Sequence, residues 1–555
     1  MYFTLAVSAV TPDICATLAD RARVADPAVM PIPGPAVIAW RSPDGRAALL
    51  HWGHREADSQ GDPRDRVPTA SHAGTIWTGT PTPGSGRVPV YARTSITRVD
   101  PVYVAEVPGA VIVADRATWA ACTASRLSGH SPLHICALLN PGFPLGSVTP
   151  FTGVSALSRS TTLHLLHGVL TRVPSPPGGA DGSARAVAEA LVTAVAHLRN
   201  TGQPVELSLT GGKDSRLVAA ALVTAGVPVV ARTHGFAGHP DVVVAAEIAR
   251  CLGIEHIVRT PAAPGQRIDV LARIRATVLV ADGMLSAFEN AGRPDPAASL
   301  VITAGGHGGE LLRGGYAETA GKPPAAGGAL RAALGPARRA ARSAELLRRL
   351  TASRLGLLRR SPAAGYAASL APWTTALAHG PLAALDDFYL VNRAGRWSAA
   401  ARQAYLIREN LVQPLFDERV VAAARAVPLA DRISGTLTSA VLAELCPALA
   451  GIPLAGKPPA AKAQPAAGDA VGAAHASFDW RRQYGAAVTS FLRDYTLDLG
   501  ASSGLFDVVS RPAAEKLLAP PHTDRAAVWA LATLACLLSG DYRLARDTSP
   551  HLTVT

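Results

Sequence analysis

The sequence predicts an α+β N-terminal domain with substantial sheet, followed by an α/β domain built on a parallel sheet and ending in a helical part. Two textures, and the break between them, predict it. Up to about residue 165, short β-type runs ("AVIAW", "AALLHWG", "GTIWTG", "VPVYARTSI", "VYVAEV", "GAVIVAD") alternate with Gly/Pro turns, the pattern of strands joined by tight connections. From Ala186, helix and strand patterns take turns in "AVAEALVTAVAHL", "PVELSLT", "SRLVAAALVTAG", "VPVVART" and "DVVVAAEIARCLG". Alternation at this pitch builds a parallel sheet with helices on both faces. Between the textures, "TRVPSPPGGADGSA" (171–184) has the composition of a linker.

The domains therefore run 1–170 and 185–555, and 555 residues supply ample length for two cores. Within the second, residues 322–365 are rich in Ala, Arg and Pro and predict a helical insertion or cap. The late apolar run "AAVWALATLACLL" from Ala526 is too short to span a bilayer and reads as a buried helix. No basic start or cleavage site marks "MYFTLAVSAVTPDIC" as a signal peptide. The six cysteines form no CxxC pair, so neither a disulfide framework nor a zinc site is indicated, and a cytoplasmic location is expected.

A formal charge of +12 raises the question of nucleic acid or membrane. Much of the excess crowds one segment: Arg331, Arg338, Arg339, Arg342, Arg348, Arg349, Arg354, Arg359 and Arg360. No aromatic residues interleave them as a base-stacking surface requires. A solvated helix face is expected, with docking of an acidic peptide or partner the other reading; neither nucleic acid nor membrane insertion is.

The chemistry concentrates at two strand-to-helix turns. In "VELSLTGGKDSRLVAAAL" (205–222) an apolar run ends in Thr210, Gly211, Gly212, Lys213, Asp214 and Ser215 before helix formers resume. In a parallel α/β sheet such a loop sits where ligands bind. The glycines let backbone approach an anion, and the amides of the helix start point towards it. It is not a Walker A loop, because Asp214 follows the lysine. A carboxylate beside phosphates needs a cation between them, and Mg²⁺ is the hard ion that favours both. The second turn, "VITAGGHGGELLRGGY" (301–316), holds Gly306, His307, Glu310 and Arg313. It lacks the third glycine of a dinucleotide fingerprint. As partner of the first loop it fits: Asp214 and Glu310 would share one Mg²⁺ at the phosphates.

These residues resemble the asparagine-synthetase-like ATP pyrophosphatase family. "LTGGKDS" is similar to that family's SGGxDS pyrophosphate loop, with Thr210 for serine. "GGHGGELLRGGY" is similar to its SGxGxDELFGGY element, with Glu310 for Asp. "QPLFDERVV" (413–421) resembles its PFLDxxVV, and "GFAGHPDVVVAAEIARCLGIEH" (235–256) the segment between the loops. The resemblance spans roughly residues 150–460. It implies a HUP-like synthetase domain that uses ATP to adenylate a carboxylate, releases pyrophosphate, and delivers the acyl group to an amine. It also implies an N-terminal amidotransferase-like (Ntn) fold in degenerate form. The second residue is Tyr2 where the glutaminases of the family carry their nucleophilic cysteine, and the first cysteine is Cys15.

Where asparagine synthetases carry Glu and β-lactam synthetases Tyr, this chain has His307. An α-amine has a reference pKa of about 8 and a histidine of about 6.5, so an imidazole is suited to taking the amine's proton; the alternative is a histidine filling the turn. "TGGKDSRL", "GGELLRGGY" and "FYLVNRAGRW" (388–397) resemble the lasso-peptide cyclases, which also lack the amidotransferase cysteine. That resemblance implies closure of a macrolactam between the first residue of a core peptide and an internal Asp or Glu. It also implies a precursor peptide, a leader-recognition protein and a leader peptidase as partners. Ammonia-dependent asparagine synthesis, β-lactam closure and a non-catalytic scaffold for the precursor are the alternatives.

The remaining residues keep two readings each. Lys213 contacts phosphate or faces solvent, and Ser215 donates to phosphate or caps its helix. Lys457, in "IPLAGKPPAAK", falls where relatives place an essential lysine that stabilises an oxyanion; Lys462 is its rival, and a plain surface lysine the other reading. Asp282, in "ADGMLSAFENAG", lines the acceptor pocket or sits in an exposed turn. Arg313 holds phosphate or a substrate carboxylate, or forms a structural ion pair.

Overall fold

A computed structural model describes residues 2–25, 28–31, 36–53, 74–80, 87–235, 238–259, 268–289, 301–321, 335–406, 410–455, 484–544 and 553–554. The N-terminal part, about the first third of the chain, folds into two antiparallel sheets. One has β1 (Tyr2–Ala9), β2 (Val37–Arg41), β3 (Ala47–Gly53), β6 (Tyr103–Val107), β7 (Ala110–Ala114) and β8 (Val154–Ala156) in the order β2-β3-β1-β7-β6-β8. The other has β4 (Gly74–Thr78), β5 (Val90–Thr94), β9 (Thr161–Leu166) and β10 (Val169–Pro174) in the order β10-β9-β5-β4. Strand side chains alternate between faces. Ala6, Leu49 and Val104 accordingly pack between the sheets with Val90, Ala92 and Leu163. Leu5, Val7, Leu50 and Ile112 point the other way, into a core shared with the C-terminal helices. The six-stranded sheet is thus covered on both faces, which is why β7 is apolar throughout.

All six β-type runs quoted from the sequence are strands. The linker begins later than expected: Thr171–Pro174 are the end of β10, paired with Thr161–His164 of β9. The helix Ala184–Val195, capped by the Ser183 side chain, opens the second part.

There a five-stranded sheet runs β13-β12-β11-β15-β16, from β11 (Val205–Ser208), β12 (Val229–His234), β13 (Glu255–Arg259), β15 (Ile302–Gly305) and β16 (Asn410–Val412), with every pairing parallel. A two-residue strand β14 (Ile268–Asp269) pairs separately with β17 (Thr553–Val554). β12 and β13 lie on one side of β11, β15 and β16 on the other. The order reverses between β11 and β15, the switch point where such sheets open a crevice beyond their strand ends. Ser208 is in register with Gly305, so the two glycine-rich loops leave the sheet side by side.

The C-terminal part is helical. The helix Arg525–Ser539 is buried continuously from Ala527 to Leu537; no helix among the described residues is long and apolar enough to cross a membrane. In the expected insertion, Gly335–Ala352 is a helix with Arg338, Arg339, Arg342, Arg348 and Arg349 exposed. Arg354 instead bonds both carboxylate oxygens of Asp524, at 2.6 and 3.0 Å, and the carbonyls of Leu139 and Asn140.

Buried arginines bind the two parts together. Arg116 donates to the carbonyls of Val280 (2.9 Å) and Leu279 (3.1 Å) and pairs with Asp282, both side chains fully buried. Asp282 also accepts from the Ala117 amide at 2.9 Å and the Thr118 hydroxyl at 2.8 Å, capping the helix Ala117–Thr123. The reading of Asp282 as a pocket residue is therefore corrected. Its Asp-Gly turn is inward, because a buried guanidinium needs a counter-charge there. Removing one partner of such a pair costs about 3–5 kcal/mol.

Candidate active site

Beyond the switch point lies a cavity of about 1020 Å³, lined by the β11 and β15 loops and by residues of the N-terminal part. That is the upper end of ligand-pocket volumes, enough for a nucleotide and a second substrate.

The β11 loop is laced by its own side chains. Ser215, which is buried, accepts from the Thr210 amide at 3.1 Å and lies 3.0 Å from the Thr210 hydroxyl. Asp241, on the helix Pro240–Leu252, takes the Gly211 amide at 3.0 Å, and Thr210 Oγ1 takes that of Gly212 at 3.2 Å. The amides left for an anion are therefore those opening the helix Lys213–Thr224, which has no side-chain cap. Lys213 is exposed beside them.

The glycines of the second loop serve close approach. A Cβ on Gly306 would stand 2.5 Å from the Ser215 amide nitrogen, blocking the helix start, and one on Gly309 would stand 2.0 Å from Asp214 Cγ. Gly308 has φ +97° and packs on Phe416, whose ring a Cβ would approach to 3.1 Å. Glycine is the residue that permits all three. The backbone of one loop thus lies directly on the carboxylate and helix start of the other.

Asp214 and Glu310 both line the cavity. Burial pushes the Asp214 carboxyl up, Glu310 and Glu318 add to that, and Arg313 pulls against it. Arg313 bonds both Asp214 oxygens, Nη2 to Oδ2 at 3.2 Å, and Glu318 through Nε at 3.1 Å. Burial works to lower the Arg313 pKa, but those two carboxylates outweigh it and raise it. Of the two readings of Arg313, the structure has the ion pair. Among the described residues no cluster of three or more His, Cys, Asp or Glu side chains could hold a metal unaided. A donor set of carboxylates completed by phosphate oxygens suits Mg²⁺, and Asp214 and Glu310 are the cavity carboxylates that would offer themselves to Mg-ATP.

His307 is exposed at the junction of this cavity with a smaller one of about 110 Å³. Trp397, Ser398, Tyr405 and Gln413 also line both. Lys457 and its rival Lys462 lie outside the described residues.

The stretch "FYLVNRAGRW" carried a resemblance in the sequence, but no site residue was assigned to it, and it builds another wall of the cavity. Residues 389–398 form a π-helix, a rare wide helix frequent at functional sites. It turns Tyr389, Arg393 and Trp397 to the cavity, where Phe143 of the N-terminal part joins them. Its other side is held by the N-terminal part. Arg98 donates to the carbonyls of Gly395 (3.3 Å) and Val391 (3.3 Å), Asn392 Oδ1 accepts from the Gly146 amide (2.9 Å), and Arg396 donates to the Val148 carbonyl. The available signal was the spacing of four between Tyr389, Arg393 and Trp397, which places them on one helical face.

Residues 186–449 match the family model described as asparagine synthase. The match holds the five parallel strands and both loops, and such a domain implies an ATP-dependent amide ligase. No curated protein matches the chain.

Proposed function

We propose that the chain is an ATP-dependent macrolactam synthetase of the lasso-peptide cyclase kind. The observation that carries this reading is His307, exposed in the cavity wall on the loop that also carries Glu310. Asp214 and Glu310 would hold Mg²⁺, which draws negative charge from the phosphates, while the first amides of the helix Lys213–Thr224 and Lys213 bind them. An Asp or Glu side-chain carboxylate of the core peptide attacks the α-phosphorus of ATP; the α–β P–O bond breaks and pyrophosphate leaves. The peptide's N-terminal amine then attacks the acyl carbon, the C–O bond to AMP breaks, and the amine's surplus proton passes to His307. The peptide loses one water in total.

Cys15 supports an external amine over glutamine-derived ammonia. It is buried, and burial pushes its thiol up to about 11, far from a thiolate nucleophile. A precursor peptide, its leader-recognition protein and a leader peptidase are the partners this reading requires.

The test is mass spectrometry of leader-free linear peptides, taken from precursor genes adjacent to this one, after incubation with the protein and Mg-ATP. The expected result is loss of one water from the peptide with matching AMP and pyrophosphate. Turnover of free aspartate with ammonium, or of small β-amino acids, would replace the peptide reading. Absence of AMP with every substrate would leave a scaffold.

A further inference from the structure

Two anions have to meet for the proposed reaction to begin, a substrate carboxylate and the α-phosphate of ATP. Each needs its own counter-charge. Among the described residues lining the large cavity, the lysines and arginines are two, Lys213 and Arg393. Lys213 belongs to the phosphate loop. Arg393 stands on the aromatic wall built by the Tyr389–Ser398 helix.

Arg393 makes no hydrogen bond or ion pair with any described residue, in a protein whose other half-buried arginines are mostly paired. What holds it is aromatic: its guanidinium lies 3.4 Å above the Trp397 ring and 5.9 Å from that of Phe143. Stacking uses the face of the guanidinium and leaves its N–H donors, which lie in the plane, free for a planar bidentate acceptor. Trp397 Nε1 beside it is also buried without a partner, a second donor lacking an acceptor, which buried N–H groups seldom tolerate. Arg393 and Glu310 line the same cavity, and the charges of both act on the Tyr316 and Tyr389 hydroxyls.

We infer that Arg393, laid flat on Trp397, binds the substrate carboxylate that is to be activated and holds it beside the nucleotide. The inference rests on the proposed carboxylate activation. Its electrostatics favour turnover in one direction: the carboxylate is an anion until it attacks, and the acyl group that results no longer carries the charge the guanidinium holds. Arg393 therefore acts on entry of the acid more than on attack by the amine.

The test uses the full-length protein with Mg²⁺ and a non-hydrolysable ATP analogue. Its ligands are short peptides bearing one Asp or Glu side chain and the same peptides with Asn or Gln, compared by saturation-transfer NMR and calorimetry. Wild type is expected to favour acid over amide, Arg393→Gln to lose that preference by about 10-fold or more, and Arg393→Lys to keep part of it. Nucleotide affinity should be unchanged in both variants. An Arg393→Gln protein that still prefers the acid overturns the inference, as does one whose nucleotide affinity falls in parallel. Wild type that binds the nucleotide without preferring acids overturns it too, leaving the ATP chemistry standing. Wild type that binds no Mg-nucleotide overturns the reading beneath it.

Discussion

Arg313 grips both carboxylate oxygens of Asp214 across 99 residues of sequence. The guanidinium thus holds the carboxylate that the proposed chemistry assigns to a metal ion, and shares itself with Glu318. On the proposed reading, Mg-ATP entry would exchange one counter-ion of Asp214 for another. Arg313→Gln is expected to destabilise the ligand-free protein by about 3 kcal/mol, since it leaves a half-buried carboxylate unpaired. It should also lower the Mg²⁺ concentration at which nucleotide binding is half-maximal. Denaturant unfolding without ligand, and calorimetry across a Mg²⁺ series, check the two halves.

Gly309→Ala places a methyl group 2.0 Å from the present position of Asp214 Cγ. Displacing that carboxylate by about 1 Å is expected to cost about 10²-fold in AMP formation, with the fold retained by circular dichroism. Activity close to wild type would show that Asp214 has no fixed role.

His307→Phe is expected to slow amide formation by about 10²–10⁴-fold and leave adenylation, read by pyrophosphate release, within a few fold. Equal loss of both steps would remove the histidine from the proton transfer.

His134 is buried, and its Nε2 donates to the Gly283 carbonyl at 3.0 Å, fixing the helix Pro132–Leu139 against the second part. Burial depresses its pKa to about 3, below an unfolded value of about 6.5. Between these values the unfolded chain binds a proton that the folded chain refuses. Stability is therefore complete above about pH 6.5 and falls below it, by up to about 1.4 kcal/mol per unit. Urea midpoints at pH 7.5 and 5 should show a steeper loss in wild type than in His134→Gln.

Arg98 is buried, with a pKa depressed to about 9 by burial first and the Arg396 charge next, and spends its donors on four carbonyls. Arg98→Met strands those carbonyls and is expected to cost about 3 kcal/mol or more. It should raise the KM for the acid substrate more than that for ATP, because the Tyr389–Ser398 helix lines the cavity on the side proposed to receive the acid. Parallel changes in both constants would argue for a purely global effect.

The two glycine-rich turns were legible because their signal is local: an apolar strand, glycines, then charges at a helix start. So was the parallel sheet, which rests on repeated strand and helix patterns. What a charged side chain does with its charge was not. Arg313 reads equally as a contact to phosphate or a substrate carboxylate and as a structural ion pair, and only the fold brings it to Asp214. Asp282 sits in an Asp-Gly pair, ordinarily a surface turn, and is drawn inside by Arg116, 166 residues away. Arg393 and Trp397 carried a readable spacing, but the width of their helix, and the part of the molecule that holds it, are properties of tertiary packing.

The bonds from Arg98 and Gly146 to the Tyr389–Ser398 helix have a consequence for how this gene can change. Residues 186–449 look like a portable unit, yet one wall of their cavity is moulded by a sandwich encoded well upstream. A shorter gene that dropped the sandwich would keep both glycine-rich loops and lose the contacts that shape the Tyr389–Ser398 wall. Substrate choice is therefore open to alteration from positions that touch no ligand. On the proposed reading, variants at Arg98 and Gly146 would bear on substrate choice as those at Trp397 would.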